Sequence, residues 1–468
     1  MGVQPGIDWV GANFTHILVC VPPAQLKNSH VEEVEYVVTT PESTGRRFRA
    51  YTIRHLDDLL KRASLTEEQR LRTRAVASVL PFRTNAYVID ELIDWDNAFD
   101  DPMFRLVFPQ EDMLPAADVD HIATLLKNGA SKQEITAAAN EVRYKLNPHP
   151  AGQIQLNIPK AGEEVVQGLQ HKYKETALFF PQQGQTCHAY CTYCFRWAQF
   201  VGIDDLKIAN NDVDQLAGYV RRHPEVTSVL LTGGDPMIMG EAVLRRYIEP
   251  LLDIDHVESV RIGSKALAYW PQRFVTDPDA DDTLRLFEEV VKSGRNLAFM
   301  AHFSHHKELE PELVQEAVRR IQDTGAVIRT QAPLIRTIND DADQWAQMWR
   351  TQHKLGMIPY YLFVERDTGP QDYFSVPLVR AWEIFRDAFS RVSGLCRTVR
   401  GPSMSATPGK VAVDGVTDIN GEKVFVLRML QARDPEIVGR PFFAKYDENA
   451  VWLDDLKPAF ADKFPFQI

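Results

Sequence analysis

Cysteine is scarce in this chain, five among 468 residues, an odd number and too few for a disulfide framework, which suits a reducing compartment. Long apolar runs are missing as well. Nothing approaches the roughly 18 consecutive apolar residues of a membrane span, and residues 1–15 lack the basic start and apolar core of a signal peptide. The expectation is a cytoplasmic protein that neither crosses a membrane nor is secreted. A surplus of positive charge is also absent. The 52 Lys and Arg stand against 64 Asp and Glu, a net charge of -12, which offers no general attraction to nucleic acid or anionic lipid. A hydrophobic content of 44% and a charged content of 25% leave ample apolar material for one large catalytic domain with appendages, or for two ordinary domains.

Residues 1–50 show no sustained helical period and carry Pro5, Pro22, Pro23 and Pro41, so short strands and loops of unassigned role are expected. Residues 51–150 read as a helical preface. A Ser64 cap with Glu67 and Glu68 announces a helix to about Val76. The stripe Val88, Ile89, Leu92, Ile93 predicts another over 85–95, and 118–128 and 131–144 repeat the theme. The turn-rich 147–152 marks a boundary. Over 151–395, β-rich runs at 177–180, 227–231, 259–262, 296–300, 326–330 and 359–364 alternate with amphipathic stretches near 212–222, 241–253, 279–293, 310–323, 340–354 and 377–391. That alternation predicts an α/β domain with right-handed crossovers and a parallel sheet, open or curled into a barrel. Residues 396–468 form a C-terminal extension, β-rich beyond 411, with a hairpin turn at 418–421.

In either parallel architecture ligands gather at the carboxyl ends of the strands, so the residues that follow each strand are the informative ones. The first strand leads into Cys187-His-Ala-Tyr-Cys191-Thr-Tyr-Cys194. This spacing lets one short loop offer three thiolates to an iron-sulfur cluster, leaving one iron open. A zinc site completed by His188, or three thiols packed as small hydrophobes, are the alternatives. The later strands end in Gly233-Gly234-Asp235, in Gly263-Ser264-Lys265, in His302 with His305 and His306, in Gln331, and in Glu365-Arg366-Asp367. The glycine pair permits close backbone approach to a ligand, and Asp235 offers a carboxylate to an ammonium or a ribose hydroxyl. The histidines invite a metal reading, although Ser304-His-His-Lys-Glu equally suits an exposed helix start.

The cysteine loop resembles the signature of radical S-adenosylmethionine (SAM) enzymes, in which three cysteines hold a 4Fe-4S cluster and SAM chelates the fourth iron. In that family an aromatic residue such as Tyr193 lies against the adenine, and the 5'-deoxyadenosyl radical from SAM abstracts hydrogen from an unactivated carbon. Further text is similar to the lysine 2,3-aminomutase family: Leu80-Pro-Phe-Arg, Cys194-Phe-Arg, Thr232-Gly-Gly-Asp-Pro, Val260-Arg-Ile-Gly-Ser with Pro271-Gln-Arg, Ala301-His-Phe-Ser-His, Gln331-Ala-Pro-Leu-Ile-Arg with Asn339-Asp340, and Pro359-Tyr-Tyr. The resemblance implies a partial (β/α)6 TIM-type barrel, a cluster on Cys187, Cys191 and Cys194, and SAM surrounded by Tyr193, Gly233, Gly234, Asp235, Ser264, His302 and Gln331. It also implies a small-molecule substrate whose carboxylate meets Arg196, and an electron donor such as flavodoxin or ferredoxin. Homo-oligomers are compatible with it.

The chain departs from that family in four respects. Where the aminomutases hold pyridoxal phosphate covalently through a lysine in a Lys-Thr-Pro segment, this chain has Ala406 before Thr407-Pro408, with Lys410 four residues on. Where an arginine grips the cofactor phosphate, Lys172 and Tyr173 are followed by Thr176. The two aspartates that hold the ammonium of lysine align with Arg366 and Arg400, although Asp367 is adjacent; ion-paired surface arginines are the bland alternative. The family's zinc-binding cysteines are missing, since no cysteine follows Cys396. The expectation is therefore a radical SAM enzyme that transforms a small anionic substrate without pyridoxal phosphate. A pyridoxal-dependent aminomutase and an iron-sulfur electron-transfer protein are the rivals.

Overall fold

The computed structural model of the protein describes residues 48–162 and 164–467. The strands and loops expected over 1–47, and Cys20 with them, lie outside the described residues. Among the described residues the main sheet has eleven strands whose order in space follows their order in the chain. Its strands are Leu169–Tyr173 (β1), Thr176–Phe179 (β2), Ser228–Leu231 (β3), Ser259–Ser264 (β4), Asn296–His302 (β5), Val327–Leu334 (β6), Ile358–Val364 (β7), Arg400–Ser405 (β8), Gly409–Ile419 (β9), Glu422–Ala432 (β10) and Pro441–Lys445 (β11). Strands β2 to β8 pair in parallel. β1 and β9 to β11 are antiparallel additions at the two ends.

The six expected strands are β2 to β7. Between and after them run Val213–Arg221 (α1), Glu241–Leu252 (α2), Ala280–Lys292 (α3), Glu312–Asp323 (α4), Ala342–Lys354 (α5) and Leu378–Ser390 (α6). Their starts follow capping chemistry: Asp212 accepts from the N–H of Gln215 and Asp341 from that of Gln344. A doubly wound sheet reverses its strand order at a switch point; this one never reverses, which is the winding of a barrel. Along β4, Val260 and Ile262 are fully buried in the helix-covered core, while Arg261 and Gly263 are half-buried. The two sides of one strand thus divide between core and interior.

Two expectations in the preface need correction. The helix expected from a Ser64 cap is Glu67–Val79, capped by Thr66 and Gln69 instead. The stretch 85–95 is no regular helix: Arg83–Asn85 pairs with Ala50–Thr52, and the apolar stripe occupies a single π-turn, Val88–Leu92. The cause is Asn85, whose amide donates to the carbonyls of His188 and Tyr269 while its oxygen accepts from Val88 N–H, which holds the chain in a bend. Helices Ala116–Lys127 and Lys132–Lys145 stand as expected, the second with a Ser131–Glu134 capping box.

Beyond Cys396 the chain continues the barrel sheet. The turn between β9 and β10 has Asn420 at φ 53° and Gly421 at φ 82°, the left-handed pair that a two-residue hairpin requires. Side chains then tie the two ends of the sheet together. Lys172 on β1 donates to the carbonyl of Ala406. Arg433, just past β10, donates to Thr407 O (2.9 Å), Leu156 O (3.0 Å) and the side chain of Asn157. A second apolar core, with Phe425, Leu427, Met429, Phe442 and Trp452, lies among these last strands.

Candidate active site

The cysteine loop leaves the carboxyl end of β2 and is clamped from two sides. Gly234 N–H donates to Gly184 O and Asp235 N–H to Thr186 O, both at 2.9 Å, so the loop after β3 runs backbone to backbone with the lead-in to Cys187. A Cβ on Gly234 would fall 2.3 Å from Thr186 O, and one on Gly233, at φ 155°, 2.8 Å from Gly184 O. The close approach anticipated for a ligand is made first by the cysteine loop itself. On the other side the preface supports it: Tyr190 N–H donates to Arg83 O (2.8 Å) and Thr192 N–H to Leu106 O (2.9 Å).

The three thiols are free and lie within electrostatic reach of one another. Burial raises all three, Cys194 up to about 12. Each also faces a cation from a different element: Arg83 for Cys187, Lys265 for Cys191, Arg196 for Cys194. Thiolates are the form a cluster needs, and neighbouring cations favour it. Among the described residues no three His, Cys, Asp or Glu groups converge as ligands of a single ion. Three cysteines at C-x3-C-x2-C spacing on one short loop suit three corners of an iron-sulfur cube. His188, the fourth ligand in the zinc alternative, instead places Nε2 3.0 Å from Asp235.

Asp235 is the hub of the mouth. Besides His188, it accepts from Ser264 Oγ (2.8 Å), Lys265 N–H (2.8 Å) and Met237 N–H (2.9 Å). Its carboxylate is 3% exposed, so its immediate work is to lock the ends of β3 and β4 to the cysteine loop, where a carboxylate open to a ligand was expected. Tyr193 lies deeper. Its hydroxyl meets His302 Nε2 at 2.8 Å and Ser304 Oγ at 2.7 Å. Burial and Lys265 hold His302 well below the usual histidine value, so its imidazole is neutral. Gln331, half-buried at a bulge in β6, sits in register with His302 on β5 and Tyr361 on β7. Tyr193, Gly233, Gly234, Asp235, Ser264, His302 and Gln331 thus all lie on the loop-bearing ends of β2 to β6.

Below this rim the interior is cationic. Arg196 is 9% exposed. Its guanidinium lies 4.3 Å from the ring centroid of Phe180 and 5.1 Å from that of Phe195, and burial lowers it to about 10. Arg366 also lies over Phe195, at 5.0 Å. It donates to Ser405 O (3.3 Å) and Pro150 O (3.5 Å). Arg196 NH1 and Arg366 Nε are both buried without a hydrogen-bond partner. Asp367, the neighbouring acid, accepts from Asn147 at 3.2 Å and is raised by burial. Arg400 is an exposed residue that reaches Tyr361 Oη (3.3 Å) and covers Tyr360 (4.6 Å).

Two lysines that sequence spacing had set aside stand in the same interior. The β8–β9 hairpin pairs Ser405 with Lys410, which brings Lys410 back beside the Ala406 position and over Tyr361, 4.2 Å from its centroid. Burial, with Arg261, Arg400 and Arg366 nearby, lowers Lys410 to about 7; Lys172 falls to about 6 for similar reasons. The signal was present as a Thr-Pro-Gly turn between two β-rich runs. Lys265 was read only as a polar strand end; its buried pairing with Glu308 was missed because the segment around Glu308 reads as an exposed helix start.

No family model matches the sequence. Among curated proteins, "Putative L-lysine 2,3-aminomutase" of Aquifex aeolicus (strain VF5) is 34% identical over 412 residues, 88% of this chain and 96% of that one. The L-lysine 2,3-aminomutase of Bacillus subtilis (strain 168) is 24% identical over 78% of this chain and 68% of its own. Among solved structures, a radical SAM methyltransferase from Sphaerobacter thermophilus aligns over 50% of this chain and 68% of its own, with TM-score 0.33 and 16% identity. Similarity to the Aquifex protein runs almost end to end and takes in every strand end that builds the mouth of the barrel; the chain belongs to the lysine 2,3-aminomutase family of radical SAM enzymes.

Proposed function

We propose that this enzyme transforms a small substrate carrying anionic groups at both ends, and does so without pyridoxal phosphate. The observation that carries this is the pair Arg196, buried, and Arg366, half-buried, on one aromatic ring, each with a buried nitrogen lacking a partner. Guanidinium matches carboxylate or phosphate through two parallel hydrogen bonds. Such charge-assisted contacts contribute about 1.5–3 kcal/mol. A lysine ammonium in the same interior would meet Arg366, Arg400 and Lys410.

Cys187, Cys191 and Cys194 hold the cluster in this reading, and Tyr193, Gly233, Gly234, Asp235, Ser264, His302 and Gln331 shape the SAM site. When bound, the cluster and SAM supply a 5'-deoxyadenosyl radical. The chain's own residues bind and orient the substrate: Arg196 takes its near anion beside the cysteine loop, Arg366 and Arg400 its far one. Phe180, Phe195 and the tyrosines exclude water from the reacting carbon. The electron donor is a flavodoxin or ferredoxin. Among the described residues no helix is long and apolar enough to cross a membrane, and we place the enzyme in the cytoplasm.

Anaerobic incubation of the reduced, cluster-reconstituted protein with SAM and deuterated dicarboxylic or phosphorylated acids tests the proposal, reading deuterium in 5'-deoxyadenosine. An electron-transfer protein would leave SAM uncleaved. The second reading, a pyridoxal-dependent aminomutase, is favoured by one observation, the place of Lys410 inside the barrel near Tyr173 and Tyr361. Borohydride reduction and peptide mapping decide it: a pyridoxyl group on Lys410 establishes the second reading and ends the first.

A further inference from the structure

A buried ion pair stands beside the cysteine loop, outside the contacts assigned above. Lys265, the residue after Ser264, is 8% exposed and Glu308 0%; Nζ and Oε1 are 2.7 Å apart. The other carboxylate oxygen accepts from the N–H groups of Ser304 (2.5 Å) and His305 (3.2 Å), so the turn after β5 fixes the acid. Lys265 N–H donates to Asp235, which fixes the base of the lysine. Its Nζ also donates to Ser304 Oγ (3.2 Å), the partner of the Tyr193 hydroxyl, and lies 4.4 Å over the ring of Tyr269. A chain of contacts therefore runs from Glu308 through Lys265 and Ser304 to the hydroxyl of Tyr193, two residues past Cys191 in the cysteine loop.

A buried pair of this kind contributes little to stability, since desolvation offsets attraction. What it does supply is a cation fixed in a low-dielectric place beside one cluster ligand. Reduction adds an electron to the cluster, and cluster potentials follow local charge, hydrogen bonding to sulfur and solvent exposure. A fixed cation favours the reduced form.

We propose that Lys265, anchored by Glu308, is a positioning residue that raises the reduction potential of the cluster on Cys187, Cys191 and Cys194. The proposal rests on the cluster reading. Its test is an EPR-monitored redox titration of the full chain after anaerobic reconstitution, with iron counted per chain. Lys265→Met lowers the reduction equilibrium at least tenfold, about 59 mV for one electron, while Lys265→Arg, which keeps the charge, stays within threefold of wild type. Because Lys265→Met leaves Glu308 unpaired, the double variant K265M/E308M, which removes both charges at similar volume, guards against loss of fold. Its potential falls as well, since it is the cation that meets Ser304 Oγ, the partner of Tyr193 in the cysteine loop. A loaded Met variant shifted by less than tenfold overturns the proposal, as does Lys265→Arg falling as far as Lys265→Met. A wild-type chain that takes up no iron overturns the cluster reading itself, an outcome distinct from an unshifted potential.

Discussion

Arg196 and Arg366 share the ring of Phe195, their guanidinium carbons 5.1 and 5.0 Å from its centroid. They come from opposite ends of the parallel sheet, one from the loop after β2 and one from the loop after β7. Two like charges meet there only because the sheet curls. Replacing either by methionine is expected to lower kcat/KM for a dianionic substrate about 10- to 100-fold, as loss of one charge-assisted contact implies. Arg400→Asp abolishes turnover of the same acid. A wild-type enzyme that converts lysine and ignores every dianion offered would refute the charge argument.

The thiols give a simple loss-of-iron prediction. Cys187→Ala, Cys191→Ala and Cys194→Ala each remove the cluster, with its absorbance and its iron. Cys396→Ala retains both, because Cys396 is buried beside Ser393 Oγ at 3.4 Å, away from the loop. Iron lost with Cys396 and kept without Cys191 would reverse the assignment.

Lys410 carries a pH signature. Its ammonium is lowered to about 7 in the folded chain, against about 10.4 unfolded. Between those values the unfolded chain binds more protons, so this group makes stability rise with pH from about 7 to about 10, and its penalty is fully present below 7. Lys410→Met is therefore expected to raise Tm by about 2–5 °C at pH 7 and by clearly less at pH 10. An equal gain at both pH values, read by thermal unfolding, would mean that the lysine is not held neutral.

Gly234→Ala tests the clamp on the cysteine loop. Its Cβ would meet the Thr186 carbonyl at 2.3 Å, a backbone atom that cannot rotate away. The variant is expected to fold, with Tm reduced by several degrees, the scale of about 1–3 kcal/mol of local strain, and to load less than half the wild-type iron. Full iron at unchanged Tm would show the clamp to be dispensable.

The strand and helix alternation from 177 to 391 was legible because each β-rich run has its apolar residues under helices and each helix starts at a cap such as Asp212 or Asp341. Asn85 defeats that logic, since its side-chain bonds to His188 and Tyr269 outweigh the periodicity of Val88 to Ile93. Lys410 was misplaced because distance along the chain from Thr407-Pro408 says nothing of distance across a hairpin. Lys265 and Glu308 find each other over 43 residues, and nothing local announces it. The cysteine loop, by contrast, puts three ligand residues within eight positions, so its chemistry is written in one place.

Lys172 alone spans from β1 to the turn after β8, where Arg366 and Arg433 reach Ser405 and Thr407 carbonyls from their own loops; among the described residues no backbone ladder crosses this joint. Such a joint parts by rotating a few long side chains, whereas any other opening of the wall must break paired strands. Amide exchange along this joint is therefore expected to be faster on the free edge of β1 than in β3 to β6, which are paired on both sides.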